Sequence, residues 1–167
     1  RLHQEENDRR QMRDQANAAL RRERSKVAEA LQASLLKLLP PMGLANVRFK
    51  VDLTPCDPAE HGADAVQFLF SANPGQPMAP LTEVASGGEM SRFLLALKTT
   101  LAAVDGSSTL LFDEVDAGVS GRVSRAMADL LQTLARQRQV FCVTHQPLVA
   151  AVAAVSYTHL TLPTTYH

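Results

Sequence analysis

Residues 109–116, Thr-Leu-Leu-Phe-Asp-Glu-Val-Asp, decide the fold. The four residues 109–112 are too short a run for a helix and show no polar alternation, so they predict a buried strand. Asp113 and Glu114 then emerge at its C-terminal end. In open α/β sheets that end is where ligands sit. A carboxylate there can hold Mg²⁺ alongside phosphate oxygens and water. A second, adjacent carboxylate can orient and deprotonate a water. Read alone, the same residues also describe a strand that ends in a solvated acidic turn.

The flanking sequence repeats one pattern. Upstream, Met90, Phe93, Leu94, Leu97, Leu101 and Val104 recur at helical spacing and predict an amphipathic helix that Gly87 and Gly88 open. Downstream, Val123, Ala126, Met127, Leu130, Leu131 and Leu134 predict a second, with Ser120 as its candidate cap. Gln139–Val143 predicts another apolar strand, followed by Thr144 and His145, and Pro147 suits the first turn of a helix over 147–155. Helices alternate with short apolar strands, which implies an α/β layer with a parallel sheet flanked by helices.

Two further stretches have the residue types of a phosphate site. In Ala85-Ser86-Gly87-Gly88-Glu89-Met90-Ser91-Arg92, two glycines at a helix start leave backbone N–H groups open to an anion, the helix dipole adds positive charge, and Ser86 offers a hydroxyl. No Gly-Lys-Ser/Thr follows, so this is not a P-loop; the plain alternative is a capped helix with Glu89 in its first turn. His145 ends the last strand. Parallel strands of one sheet finish on one edge, so His145 is expected near Asp113 and Glu114, where an imidazole can contact a terminal phosphate. A satisfied histidine at a strand end is the bland alternative.

The N-terminal third reads differently. Residues 1–39 hold no glycine or proline and are rich in helix formers, with Leu20, Val27, Leu31, Leu35 and Leu38 spaced as a helical stripe or coiled-coil seam. Pro40 and Pro41 stop that helix. Residues 47–53 and 67–71 predict strands, with loops over 54–64 and 71–80. Nine Lys/Arg against six Asp/Glu in residues 1–39, and eight against eleven in the remainder, suggest two structurally different parts.

Composition bounds the rest. A chain of 167 residues with 46% apolar and 20% charged residues suits one globular domain with a real core. Its formal net charge of zero implies no global electrostatic grip on nucleic acid. The basic residues Arg9, Arg10, Arg13, Arg21, Arg22, Arg24 and Lys26 can touch phosphates, or simply form a solvated helix face. Cys56 and Cys142 lack metal-ligand spacing, so neither a zinc site nor a disulfide framework is indicated and a reducing cytoplasm fits. No apolar run approaches the roughly 18–20 residues of a membrane helix. The charged N-terminus is no signal peptide and lacks an initiating Met, so the chain is expected to begin within a longer protein.

Taken together, these residues resemble the C-terminal half of an ABC ATPase head of the SMC type. Residues 86–89 match the ABC signature, 109–114 the Walker B strand, 116–120 the D-loop, and His145 the switch histidine. Three strings carry the finer likeness: SANPGQPMAPLTEVASGGEMSRFLLALKT, LLFDEVDAGVSGRVSRAMADLL and RQRQVFCVTHQPLVAAVA. They resemble the bacterial RecN family of SMC-like ATPases in DNA double-strand-break repair and recombination. The NPGQP loop and the VDAGVSGR stretch are the most specific cues.

The resemblance implies ATP and Mg²⁺ as ligands, with Asp113 helping to hold Mg²⁺, Glu114 as catalytic base and His145 on the γ-phosphate. It implies that Ser86, Gly87 and Gly88, with Glu89 beside them, meet the γ-phosphate of ATP held by a second head, in an ATP-dependent homodimer. Asp116 would couple the two sites. It also implies DNA as a partner, a nucleoid-associated place in the cytoplasm and no membrane partner. The parts would be residues 1–39 as the returning arm of a coiled coil, 40–155 as the C-terminal half of the head, and 156–167 as a tail.

Two departures from the family pattern stand out. No G-x-x-x-x-G-K-[ST] loop occurs, so the N-terminal half of the same head is expected as a partner and this chain alone is expected to be inactive. The end, SYTHLTLPTTYH, does not match and is expected to be foreign, so His159 and His167 carry no weight; a divergent terminal strand is the alternative. Another SMC-like or RecF-like head, a transporter ATPase, a non-catalytic dimerisation module and a plain coiled-coil protein remain as rival readings.

Overall fold

Helix α1 (Leu2–Leu38) runs without a residue to break it and ends where the two prolines enter a 3₁₀ turn, Pro40–Met42. The computed structural model describes residues 2–84, 87–104, 106–113, 115–119 and 121–157, and divides the chain into two units, Arg1–Ser86 and Gly87–His167.

In the first unit the buried face of α1 differs from the apolar stripe that the spacing predicts. Leu35 is buried and Leu31 and Leu38 are half-buried, but Leu20 and Val27 face solvent, Val27 at 65% exposure. The face turned inward instead carries Arg21, Arg24, Ala28, Leu35 and Leu39, three to seven residues apart. Two arginines displace leucine there because they reach a buried acid. Arg21 Nε and Arg24 Nη1 lie 3.2 and 3.4 Å from the two oxygens of Asp64, whose side chain is 3% exposed. Arg24 Nη2 also donates to the carbonyl of His61 at 2.5 Å, and Arg21 Nη2 to that of Leu53 at 3.3 Å.

Asp64 belongs to a hairpin longer than the sequence signals. Strand β1 (Arg48–Ala59) pairs antiparallel with β2 (Gly62–Ser71), from Arg48↔Ser71 to Pro55↔Asp64, with an irregularity before Ala59↔Gly62. Residues 54–64, expected as a loop, are the far half of this hairpin. Pro55 and Pro58 hid it, yet β1 is an edge strand, where a missing N–H is tolerated. The Val51 N–H of that edge donates to Gln32 Oε1 of α1 at 2.6 Å. A short β3 (Ala79–Pro80) completes the sheet within the predicted loop 71–80.

The second unit has the alternation that the sequence predicts: α2 (Gly88–Thr100), β4 (Thr109–Asp113), α3 (Arg122–Ala135), β5 (Gln139–Val143) and α4 (Pro147–Ala150). Strands β4 and β5 are parallel, in register from Thr109↔Gln139 to Asp113↔Val143. Helices α2 and α3 pack on each other, α2 touching β4 and α3 touching β5. Met90, Phe93 and Leu97 are buried as their spacing predicts, but so are Leu95 and Ala96, while Leu94 is 38% and Val104 80% exposed. Helix α2 is therefore covered on more than one side and ends before Leu101. In α3, Met127, Leu131 and Leu134 are buried, with Ser124 and Ala128 added to the face.

Three details of this unit depart from expectation. The cap of α3 is Gly121, at φ 58° and ψ −119°, a backbone region that essentially only glycine enters; Ser120 lies outside the described residues. Helix α4 covers four residues, not the whole of 147–155, because after Val149 no further side chain on it is buried. Strand β4 is buried on one face only. Phe112 is 8% exposed, but Leu111 is 70% exposed, and its register partner Phe141 and the next outward residue Val143 are about half exposed. Among the described residues of this unit that sheet face has no cover.

Candidate functional site

The C-terminal ends of β4 and β5 supply the site. Asp113 closes β4 opposite Val143, the last residue of β5, and its side chain is exposed at that end. His145 follows two residues after Val143 and is also exposed. The parallel pairing thus brings two of the anticipated side chains to one edge. Glu114 and Ser86 lie outside the described residues.

Asp116 turns inward instead. It is 3% exposed, and its Oδ2 accepts three hydrogen bonds from the turn that follows β5: from Thr144 Oγ1, from the His145 N–H at 3.1 Å and from the Gln146 N–H at 3.1 Å. The Gln146 N–H also reaches Thr144 Oγ1 at 3.0 Å. A carboxylate that accepts this many donors fixes the backbone on both sides of His145. The resemblance implies that Asp116 couples two sites; no local pattern marks Thr144 as its donor or the bonds to the histidine's own backbone.

The helix start contributes the second part. Gly87 is the residue before α2, extended at φ 177°, and a Cβ built on it meets no atom within 4 Å. Gly88 is different: a Cβ there would stand 2.9 Å from the Ala117 carbonyl oxygen and 3.1 Å from Arg92 Nη1. The second glycine is therefore required by close backbone approach within the chain, and the first is not. Glu89 is exposed in the first turn.

Sequence position assigns Arg92 no role. It is 6% exposed, and Nη1 donates to the Ala117 carbonyl at 3.3 Å. Burial lowers its pKa, and the negative charge of Glu89 raises it in part. The signal that could have found it is a charged residue between Met90 and Phe93, at a position the helical period places inward. On β5, burial first, then the charges of Asp116 and Asp113, push the Cys142 thiol up to about 11.

Asp113 is the described carboxylate at this edge. Among the described residues no group of three or more His, Cys, Asp and Glu forms a cage. A divalent ion bound by Asp113 would take its other ligands from phosphate and water, which is the habit of Mg²⁺. Among the described residues no helix is long and apolar enough to cross a membrane.

No family model matches the chain. Individual relatives do. The chain is 49% identical over 131 residues to the DNA repair protein RecN of Synechocystis, covering 78% of this chain and 22% of that protein. It is 44% identical over 145 residues to RecN of Treponema pallidum, covering 83% and 25%. Among solved structures, the Smc head domain with a coiled coil and joint from Pyrococcus yayanosii matches with a TM-score of 0.55 at 21% identity, over 78% of this chain and 24% of that one. The Smc head with an extended coiled coil from Pyrococcus furiosus, bound to the C-terminal domain of ScpA, matches at 0.54 and 19%, over 86% and 34%. These likenesses give the fold: an α/β segment of an SMC-type head with a long helix before it. The chain spans about a quarter of the length of the curated relatives it matches, and over that segment it belongs to the RecN family.

Proposed function

We propose that the chain is the C-terminal half of an ATP-hydrolysing head in a DNA repair protein. The observation that carries this is the edge formed by Asp113 and the His145 turn, with Asp116 binding the two strand ends together. Mg²⁺, when bound with ATP, supplies charge neutralisation between the phosphates. Asp113 would be its protein ligand. Glu114 orients the attacking water and takes its proton, and His145 contacts the γ-phosphate. Ser86, Gly87 and Gly88 bind the γ-phosphate of ATP on a second copy, with Glu89 at that interface. Phosphoryl transfer needs mainly such positioning and charge stabilisation.

The open sheet face supports the missing partner. Parallel sheets are covered on both faces, and among the described residues of this unit α2 and α3 cover one face of β4 and β5. Leu111, Phe141 and Val143 are the surface on which the N-terminal half of the same head, bearing the P-loop, would pack. In this reading residues 1–39 are the returning arm of the coiled coil, and solvent-facing Met12, Leu20 and Val27 meet the other arm. Residues 40–155 are the head half. The last twelve residues are foreign to it; 158–167 lie outside the described residues. DNA enters through the names of the relatives. Five of the seven basic residues proposed for it, Arg10, Arg13, Arg21, Arg24 and Lys26, are in ion pairs here.

The test is turnover of Mg-ATP by the full-length protein. Glu114→Gln is expected to lower kcat by at least about a hundredfold with nucleotide binding retained. Unchanged turnover in that variant overturns the reading.

A further inference from the structure

Helix α1 has two faces suited to lie on the β1–β2 hairpin, and the less apolar one does. At about 100° per residue, Leu20, Val27, Leu31 and Leu38 form one stripe, and Arg21, Arg24, Ala28 and Leu35 form a second, turned from it by about 70°. The second is seated: Ala28 and Leu35 are buried, while Leu20 and Val27 are exposed. We infer that Asp64 selects between the two, drawing the arginine face onto the hairpin and leaving the leucine stripe free to pair with a second apolar helix. This rests on the reading of residues 1–39 as one arm of a coiled coil.

Strand alternation and register put Asp64 on one face of the hairpin with Phe49, Val51, Leu53, Val66, Phe68 and Phe70. Burial of apolar area alone favours the leucine stripe on such a face, and room for it remains, since Val66 is 52% exposed. Asp64 reverses that preference. A carboxylate whose side chain is 3% exposed is costly to leave unpaired, and the second face brings two guanidinium groups to it, Arg21 Nε at 3.2 Å and Arg24 Nη1 at 3.4 Å. Buried ionic groups of this kind add little stability over well-packed apolar residues; what they add here is a choice between packings. Three further bonds hold the same rotation of the helix. Arg21 Nη2 donates to the Leu53 carbonyl, Arg24 Nη2 to the His61 carbonyl, and the Val51 N–H to Gln32 Oε1. The fit is close at the end of the hairpin, where a Cβ at Gly62 would stand 2.8 Å from Leu20 Cδ2 and 3.0 Å from Arg24 Nη1. The helix is thus seated against the hairpin as far up as Leu20.

Two cysteine reporters, Val27→Cys and Ala28→Cys, each placed singly in this chain, read the rotation through their rates of alkylation by iodoacetamide. Peptide mass spectrometry separates them from the native Cys56 and Cys142. With Asp64 present, Val27→Cys should react at least about tenfold faster than Ala28→Cys. Asp64→Leu should slow Val27→Cys and speed Ala28→Cys, each by about tenfold, as the leucine stripe rolls onto the hairpin. Asp64→Asn, which keeps the volume and removes the charge, should move both rates in the same directions should Asp64→Leu fold poorly. Rotation changes the two rates in opposite senses, whereas unfolding speeds both, so unchanged rates or two accelerations overturn the selector. In the full-length protein with Asp64 intact, Val27→Cys should react about tenfold slower than in this chain, because the second arm covers it. Equal rates there overturn the coiled-coil reading, while the paired rates in this chain still decide whether Asp64 selects the face.

Discussion

Replacing each of the two adjacent glycines by alanine should separate folding from function. At Gly88 the new Cβ would lie 2.9 Å from a backbone oxygen, Ala117 O, and 3.1 Å from Arg92 Nη1. An ordinary contact needs about half an ångström more, and the turn is held by Arg92 and Asp116, so it cannot yield freely. Overpacking of this kind costs about 1–3 kcal/mol, against which the better helix propensity of alanine returns at most about 1 kcal/mol. Gly88→Ala should therefore destabilise the second unit by about 1–2 kcal/mol. At Gly87 nothing stands within 4 Å and the extended backbone suits any residue. Gly87→Ala should be neutral for folding or stabilise by up to about 1 kcal/mol through the unfolded chain. Urea unfolding followed by circular dichroism reads the difference. If the first glycine instead faces a neighbour's phosphate, ATP-dependent association of intact heads should fall at least about tenfold in Gly87→Ala despite normal stability. Equal destabilisation by the two variants, or undisturbed association in Gly87→Ala, would refute this.

Three further outcomes follow from the geometry. Removing Asp64 should cost less than removing both its partners: Asp64→Ala leaves two arginines that can turn to solvent, about 1–2 kcal/mol, whereas Arg21→Ala with Arg24→Ala strands a buried carboxylate, about 3–5 kcal/mol. Urea midpoints of the first unit rank them, and the reverse order contradicts the clamp. Cys142 should resist iodoacetamide at pH 8. With its thiol at about 11 in the fold against 9.0 ordinarily, its contribution to stability is whole below pH 9 and is lost as pH rises through 11; mass spectrometry of alkylated peptides across pH 7–11 checks it. Leu111→Glu should leave the unfolding midpoint of this chain within about 0.5 kcal/mol, since the residue is 70% exposed, yet abolish co-purification with an N-terminal head half. Normal co-purification would remove the sheet face from the interface.

The second unit was largely legible because its signals are local. Residues 109–113 and 139–143 are short apolar runs between helical periods, and a parallel pair follows from the connections. What the sequence hid is set by partners distant along the chain. The inward face of α1 departs from the leucine seam because Asp64, 40 residues from Arg24, recruits arginines to it. The hairpin over 54–64 was hidden by Pro55 and Pro58, whose harmlessness depends on β1 being an edge strand. A wholly apolar run predicts full burial for Leu111, but among the described residues of its unit one side of its strand has no cover. In the site, Asp113 and His145 were visible as strand-end residues. Arg92 and Thr144 act through Ala117 and Asp116, and no local pattern announces a side chain that serves another residue's backbone.

The central claim is that one triphosphate is met by His145 of its own chain and by Gly87–Gly88 of another. Mixing two full-length variants tests it: His145→Ala, and Gly87→Trp, each inactive alone. In random dimers of a symmetric pair, half the dimers are mixed and each has one wholly intact site, so ATP turnover should return to about a quarter of the wild-type rate. Turnover that stays at the level of the separate variants would contradict the claim, because it would place both groups on the same copy's nucleotide.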